Sequence, residues 1–227
     1  MSIDTIQVLD HGFVRLVDSM GSDLSVVRAA RVSYDAAWRA GEDAGSDKRL
    51  IQYLWRNAHT TPFEAVTLTF EVKAPIFVLR QWHRHRTWSY NELSARYREL
   101  PEEFYVPEPA TIGQQSKTNK QARDLTLGGD EDSYYNSEKI RSACSYAFEV
   151  YKQLLERGAP RELARGVLPM NTYSHMFATV NLLNLLKFLT LRFDAHAQLE
   201  MQWYAKALKE LAEEVAPECV RAWGENR

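Results

Sequence analysis

Arg84, Arg86 and Arg96 stand within fourteen residues, RHRTWSYNELSARY, that hold a single acid, Glu92, with His85, Ser89, Asn91 and Ser94 set among the arginines. Guanidinium forks donate paired hydrogen bonds to phosphate and stay charged at any physiological pH, so the chemistry on offer is anion binding. From Arg80 to Arg98 five arginines face one carboxylate, a local charge of plus four in a chain whose formal net charge is -2. A solvated basic loop would account for that charge. It would not need the neutral donors and acceptors of Ser89, Asn91 and Ser94, nor the flat surfaces of Trp88, Tyr90 and Tyr97.

Apolar periodicity gives the elements that must position this segment. Val66, Leu68, Phe70 and Val72 alternate with Thr67, Thr69, Glu71 and Lys73, the period-two pattern of a half-buried antiparallel strand that Pro75 stops. Pro75 at a first helical position predicts a short helix to about His83, which sets Gln81 and Arg84 at a helix end opening into the arginine segment. Upstream, Leu50, Ile51, Leu54, Trp55 and Ala58 repeat at helical spacing after a Ser46 cap, so His59 lies just past a helix C-terminus. Downstream, Ile140, Ala143, Ala147, Val150, Leu154 and Leu155 mark a long helix ended by Gly158. Pro160 begins another, with Arg161 and Arg165 four apart on one face, where pairing of one of them with a surface acid is the simplest role. The chain from Leu182 to Val215 is helical in pattern, capped by Asn181 and broken near Phe193 to Ala195. Arg192 falls in the last turn before the break, a place where arginine favours the helix dipole in any protein. Residues 111–139 contain QQSKTNKQ and GGDED and read as a mobile polar excursion.

With 227 residues and 45% hydrophobic content the chain suits one domain with its own core. The opening MSIDTIQVLDHG lacks a basic region followed by an apolar stretch, and the apolar run from Val180 to Phe193 is interrupted by Asn181, Asn184, Lys187 and Arg192. A cytoplasmic protein without a membrane partner is therefore expected. Cys144 and Cys219 lie far apart, which argues against a zinc ribbon, a redox CxxC pair or a disulfide framework. His83 and His85 have no third ligand nearby, so no metal is expected. A module for single-stranded nucleic acid would also interleave arginine with Trp82, Trp88, Tyr90 and Tyr97. The pI near 6.3 and the specific Ser, Asn and Glu spacing count against it. A purely structural oligomerisation domain would leave the polar cluster without purpose.

The arginine segment resembles the RHRxxSxNExSxRY signature of flavin-dependent thymidylate synthases, with Arg84, His85, Arg86, Ser89, Asn91, Glu92, Ser94, Arg96 and Tyr97 in place. The likeness extends through DLSVVRAARVSYD (23–35), HTTPFE (59–64), APIFVLRQW (74–82), PRELARGVLPMN (160–171) and LRFDAHAQLE (191–200). It implies an α+β fold, a single domain over residues 1–227 with a central antiparallel sheet flanked by long helices. The implied activity is reductive methylation of dUMP to dTMP, with methylenetetrahydrofolate as carbon donor and FAD, reduced by NADPH, as hydride carrier.

By the same resemblance the nucleotide is held by Gln81, Trp82, His83, Arg84, Glu92, Leu93, Ser94, Ala95, Arg96, Arg165 and Arg192. Arg192 is the implied catalytic residue, lying beside the uracil ring to favour its ionised N3. FAD falls to Ser33, His59, Thr61, Arg84, His85, Arg86, Glu92 and Asn181, and the absence of a G-x-G-x-x-G turn means it is not held in Rossmann style. Ser94 has no base beside it in sequence and is assigned to binding. Lys187 stands where the family pattern has an amide, which puts a flavin contact there in doubt. Family members are homotetramers with sites shared between subunits, and such an assembly is expected here.

Overall fold

The computed structural model describes residues 5–226. Seven strands occur among them: β1 (Thr5–Val8), β2 (Gly12–Met20), β3 (Thr67–Pro75), β4 (Ser89–Glu92), β5 (Gln114–Gln115), β6 (Arg123–Asp124) and β7 (Tyr173–Asn181). The helices are α1 (Asp23–Arg31), α2 (Ala44–Arg56), α3 (Ile76–Trp82), α4 (Pro109–Ile112), α5 (Glu131–Glu156), α6 (Arg161–Ala164), α7 (Leu182–Arg192), α8 (Leu199–Val215) and α9 (Pro217–Glu225). The main sheet is antiparallel throughout in the order β1-β2-β3-β7-β4, and β5 pairs only with β6. This is the α+β architecture expected, with the sheet central and the long helices around it.

The alternation in β3 does what period two requires. Leu68, Phe70, Val72 and Ala74 are buried, and their neighbours Met176, Ala178 and Val180 on β7 join the same core. Leu185, Leu186, Phe188 and Leu189 of α7 and Tyr204, Leu208 and Leu211 of α8 belong to that core as well. Each fully buried Leu or Phe side chain contributes roughly 1.5–3 kcal/mol, so this one face supplies most of what holds the sheet to its helices. The opposite face is polar. Thr69 and Thr179 hydroxyls meet across β3 and β7 at 3.0 Å, Glu71 is paired with Arg15, and Lys73 reaches Glu103 at 2.7 Å. Phe177 and Val17 are exposed on that face.

Several helix boundaries differ from the sequence expectation in instructive ways. Asp43 rather than Ser46 caps α2, its carboxylate accepting from the Ser46 N–H at 3.1 Å, so the helix starts three residues earlier than the hydroxyl would set it. Pro75 closes β3 and caps α3 instead of entering it. Asn181 caps α7 as expected, accepting from the Asn184 N–H at 2.9 Å, and Arg192 is the helix's last residue. Gly158 ends the turn after α5 with φ 82°, a conformation that favours glycine.

Residues 111–139, expected as a mobile polar excursion, contain β5, β6 and the start of α5. Their last nine residues are the first turns of α5, whose N-cap Asp130 accepts from the Ser133 N–H at 2.8 Å. The buried Ser137 hydroxyl donates to the Pro107 carbonyl at 3.0 Å, and Arg123 of β6 pairs with the buried Glu200 of α8. The segment is polar, as its composition has it, and polar contacts hold it. Among the described residues no helix is long and apolar enough to cross a membrane.

Candidate active site

The short helix α3 delivers the arginine segment. Val78, Leu79 and Trp82 bury one side of it, Trp82 completely, where its ring meets Trp88 edge-on at 5.7 Å and lies tilted on Phe188 at 5.1 Å. After Trp82 the chain turns tightly, with the His85 N–H bonded to the Trp82 carbonyl at 2.9 Å. The turn is pinned from outside by Tyr90, whose hydroxyl donates to the carbonyls of His85 at 2.8 Å and Trp82 at 3.1 Å. Burial pushes that phenol well above its ordinary pKa, so it remains a donor. Anchored in this way, Arg84 and Arg86 project outward. Both are exposed, and neither has an acid partner among the described residues.

Arg192 comes to the same place from the end of α7. Its Nε–H donates to His85 Nε2 at 2.9 Å, and the His85 ring packs 4.6 Å from Phe188. Burial first and the Arg192 charge second lower the His85 pKa to about 4, which keeps the imidazole neutral with Nε2 as the acceptor. The terminal amino groups of the Arg192 fork have no partner among the described residues. The pair therefore aims a fixed, half-buried cation.

Strand β4 pairs with β7 and carries Glu92 over the Ser174 hydroxyl, which donates to Glu92 Oε1 at 2.5 Å. His83 Nε2 lies 4.0 Å from Glu92 Oε2, and its ring stands edge-on to Tyr90 at 4.7 Å. Past β4 the Leu93 N–H binds the His175 carbonyl, and the Ser94 hydroxyl accepts from the Arg96 N–H at 3.3 Å. Arg96 also reaches Glu162 of α6 at 3.5 Å, and Arg161 lies 3.7 Å from Glu99, the surface pairing expected of one arginine in that helix. Arg165, at the start of the turn after α6, is exposed with no acid partner among the described residues.

Residues 15–218 match the family described as thymidylate synthase complementing protein. The flavin-dependent thymidylate synthase of Thermotoga neapolitana is 47% identical over 212 residues, 93% of this chain and 90% of that protein. That of Thermus thermophilus is 48% identical, covering 94% of this chain and 76% of that one. The crystal structure of the UMP/dUMP methylase PolB from Streptomyces cacaoi, bound with 5-Br dUMP, superposes with a TM-score of 0.86 at 40% identity over 97% of each chain. The chain belongs to the flavin-dependent thymidylate synthase family.

Of the residues that family membership would give to a flavin, Arg84 and Glu92 also belong to the nucleotide set, while Ser33, His59, Thr61 and Asn181 lie elsewhere in the fold. Thr61 opens the short turn Thr61–Ala65 before β3, Asn181 ends β7 opposite Thr67, and His59 follows α2 with its ring edge-on to Tyr53 at 5.9 Å. Ser33 is exposed in the turn Val32–Tyr34 after α1. Asn181 lies seven positions along β7 from Ser174, the partner of Glu92, a span of about 23 Å. Arg84, His85 and Arg86 follow α3, and Glu92 lies on β4 beside Ser174.

Not every residue in the expected nucleotide set presents a side chain. Trp82 and Ala95 are buried in the fold, so their part in a thymidylate synthase site would be played by the backbone beside them. Two further residues were not legible: Ser174, which fixes Glu92, and Gln198, whose side-chain carbonyl accepts from the Gln81 amide. Nothing local in sequence marks Ser174. Gln198 stands within LRFDAHAQLE, but only the fold brings it to Gln81. Lys187 is exposed on α7, one turn after Asn184.

Proposed function

We propose that this chain reductively methylates dUMP to dTMP, with methylenetetrahydrofolate giving the carbon, FAD bound as cofactor and NADPH as reductant. The observation that carries the reading is the Arg192–His85 pair, a cation fixed through Nε by a neutral acceptor, with no partner for either terminal amino group among the described residues. Negative charge on a pyrimidine edge is what such a fork stabilises, and a charge-assisted hydrogen bond there is worth about 1.5–3 kcal/mol. Arg192 is the catalytic residue in this reading. Gln81, Arg84, Glu92, Ser94, Arg96 and Arg165 bind the nucleotide: the arginines take its phosphate and Glu92 accepts from a sugar hydroxyl.

The flavin, when bound, supplies hydride transfer. The residues present suit it, because Arg86, with Arg84 shared between the two ligands, offers guanidinium to a diphosphate, and Asn181, His59, Thr61 and Ser33 add neutral donors and acceptors. No thiol fits the role of nucleophile. Burial raises the pKa of both Cys144 and Cys219, the opposite of what thiolate attack needs.

The reading includes a homotetramer whose sites are shared between copies. A span of about 23 Å along β7 between the two groups of side chains, and a sheet face with exposed Phe177 and Val17, both support it. One domain over residues 1–227, working in the cytoplasm where these small nucleotides are made, completes the assignment.

The test is direct. Purified protein is expected to be yellow, to release FAD on denaturation, and to melt higher with added FAD and dUMP, by about 2.7 kcal/mol at a hundredfold excess over each dissociation constant. It should form dTMP only when FAD, NADPH and methylenetetrahydrofolate are all present. Colourless protein that neither takes up FAD nor converts dUMP would overturn the proposal.

A further inference from the structure

From Gln81 a line of polar side chains runs inward that no step of the proposed reaction uses. The Gln81 amide nitrogen donates to Gln198 Oε1, and the Gln198 amide nitrogen donates to Glu200 Oε2 at 2.9 Å. The other Glu200 oxygen accepts from the Tyr105 hydroxyl at 3.2 Å and from the guanidinium of Arg123, which reaches in from β6. Glu200 is only 2% exposed, yet every group around it is a donor. Burial, with the Glu200 charge adding to it, pushes the Tyr105 phenol far up and keeps its proton in place.

An amide side chain can turn either way, and from its outline alone the two senses are nearly equivalent. A carboxylate removes that freedom because it can only accept. Gln198 must turn its NH2 toward Glu200, which leaves its carbonyl facing Gln81. Gln81 must then commit its own NH2 to Gln198. Its carbonyl is left over, with no partner among the described residues. The sense of both amides is therefore set two side chains away from the site, by a buried acid paired with an arginine from the β5–β6 hairpin.

We propose that Glu200 is a positioning residue: through Gln198 it presents Gln81 to the nucleotide as a hydrogen-bond acceptor, so that the site selects a ligand with an N–H or O–H donor at that point. The inference rests on the reading that Gln81 lies against dUMP. It also gives the polar hairpin a task, since Arg123 is the charge that accompanies Glu200 into the core.

A double-mutant cycle on the FAD-loaded full chain separates this from a scaffold role. Titration of dUMP into wild type, Glu200→Gln, Gln81→Ala and the double variant is expected to show about a tenfold loss of affinity in each single variant. The double variant is expected to bind no worse than Gln81→Ala, and FAD content should stay at the wild-type level. Wild-type affinity in Glu200→Gln overturns the proposal, as does a Glu200→Gln effect that persists undiminished when Gln81 is already alanine. Should Glu200→Gln fail to fold, Gln198→Met cuts the same line at a half-buried side chain and carries the same expectations; failure of that variant too would make the line scaffold and end the proposal. Wild type that takes up FAD but no dUMP would overturn the functional reading, and this inference with it.

Discussion

The two ends of β7 are built on different physical terms. At the Ser174 end the polar side chains are tied to one another: Glu92 to Ser174, Gln81 to Gln198, and the Ser94 hydroxyl to the backbone of Arg96. At the Asn181 end the candidate flavin residues sit on turns and helix termini. Asn181 uses its carbonyl oxygen to cap α7, and His59 follows Ala58, held at φ 57°. Ser33 likewise precedes, by two residues, Asp35 at φ 52°. A non-glycine residue in that left-handed region costs about 1–2 kcal/mol, which the surrounding packing must offset. One end is thus preorganised by side-chain hydrogen bonds and the other by backbone shape. The difference suits a small nucleotide gripped at several points and a long cofactor laid over a contour.

Helix α7 returns from the second end toward the first, starting at the Asn181 cap and finishing at Arg192. The largest effect is expected where that return ends. Arg192→Lys keeps the charge but replaces a planar fork with a single ammonium, and it also loses the Nε–H that binds His85. Single-turnover dTMP formation is expected to fall tenfold to a hundredfold, with dUMP affinity less affected. A wild-type rate in this variant would remove Arg192 from the chemistry and leave the two ends without a common reacting centre.

A smaller but sharper effect concerns which copies supply the two ends. Arg165→Ala damages the nucleotide end and His59→Ala the flavin end, and each is expected to lose about tenfold in kcat/KM if one charged or neutral contact is removed. Co-expressed, they should regain activity that neither has alone, because some sites would then take an intact nucleotide end from one copy and an intact flavin end from another. Activity equal to the average of the two separate variants would mean that each chain serves both ends of its own site.

How far the sequence made this legible follows from which forces act where. The arginine segment was readable because charge, hydroxyls and aromatic rings are packed into fourteen consecutive residues. Strand β3 was readable because Leu68, Phe70 and Val72 are large, apolar and buried at alternate positions. Its partner β7 was not, although it is equally central: its buried positions from 174 to 180 are Ser, Met, Ala and Val, while Phe177 points to the exposed face, so the hydropathy alternation nearly vanishes. Loss of β7 from the reading also hid Ser174. The line from Gln81 to Glu200 was invisible for another reason, since its members are separated by up to 119 residues and meet only in the fold, where Gln198 at the start of α8 comes to Gln81 and Arg123 of the hairpin reaches Glu200. Asp43 displaced Ser46 as a cap because two good capping residues stand three apart, and local propensity does not choose between them.

The smallest effect expected is on stability against pH, and it probes the point where both regions meet. His85 has its pKa lowered from 6.5 to about 4, by burial first and by Arg192 second. The folded state therefore holds His85 neutral through a range in which the unfolded chain would protonate it. Between these two values the unfolded state binds more protons, so the stability contributed by neutral His85 is fully present above pH 6.5, declines as pH falls toward 4, and does not decline further below that. Protonation also turns the acceptor of Arg192 into a second donor beside a like charge. His85→Gln offers an amide oxygen to Arg192 and cannot titrate, so its unfolding free energy should fall less between about pH 7 and about pH 4.5 than that of the wild type. Because the ring is only half-buried, the difference in slope should be modest. Urea unfolding at several pH values in both proteins measures it. Parallel curves would show that His85 titrates freely, and that the cation at the end of α7 is held by something other than a neutral imidazole.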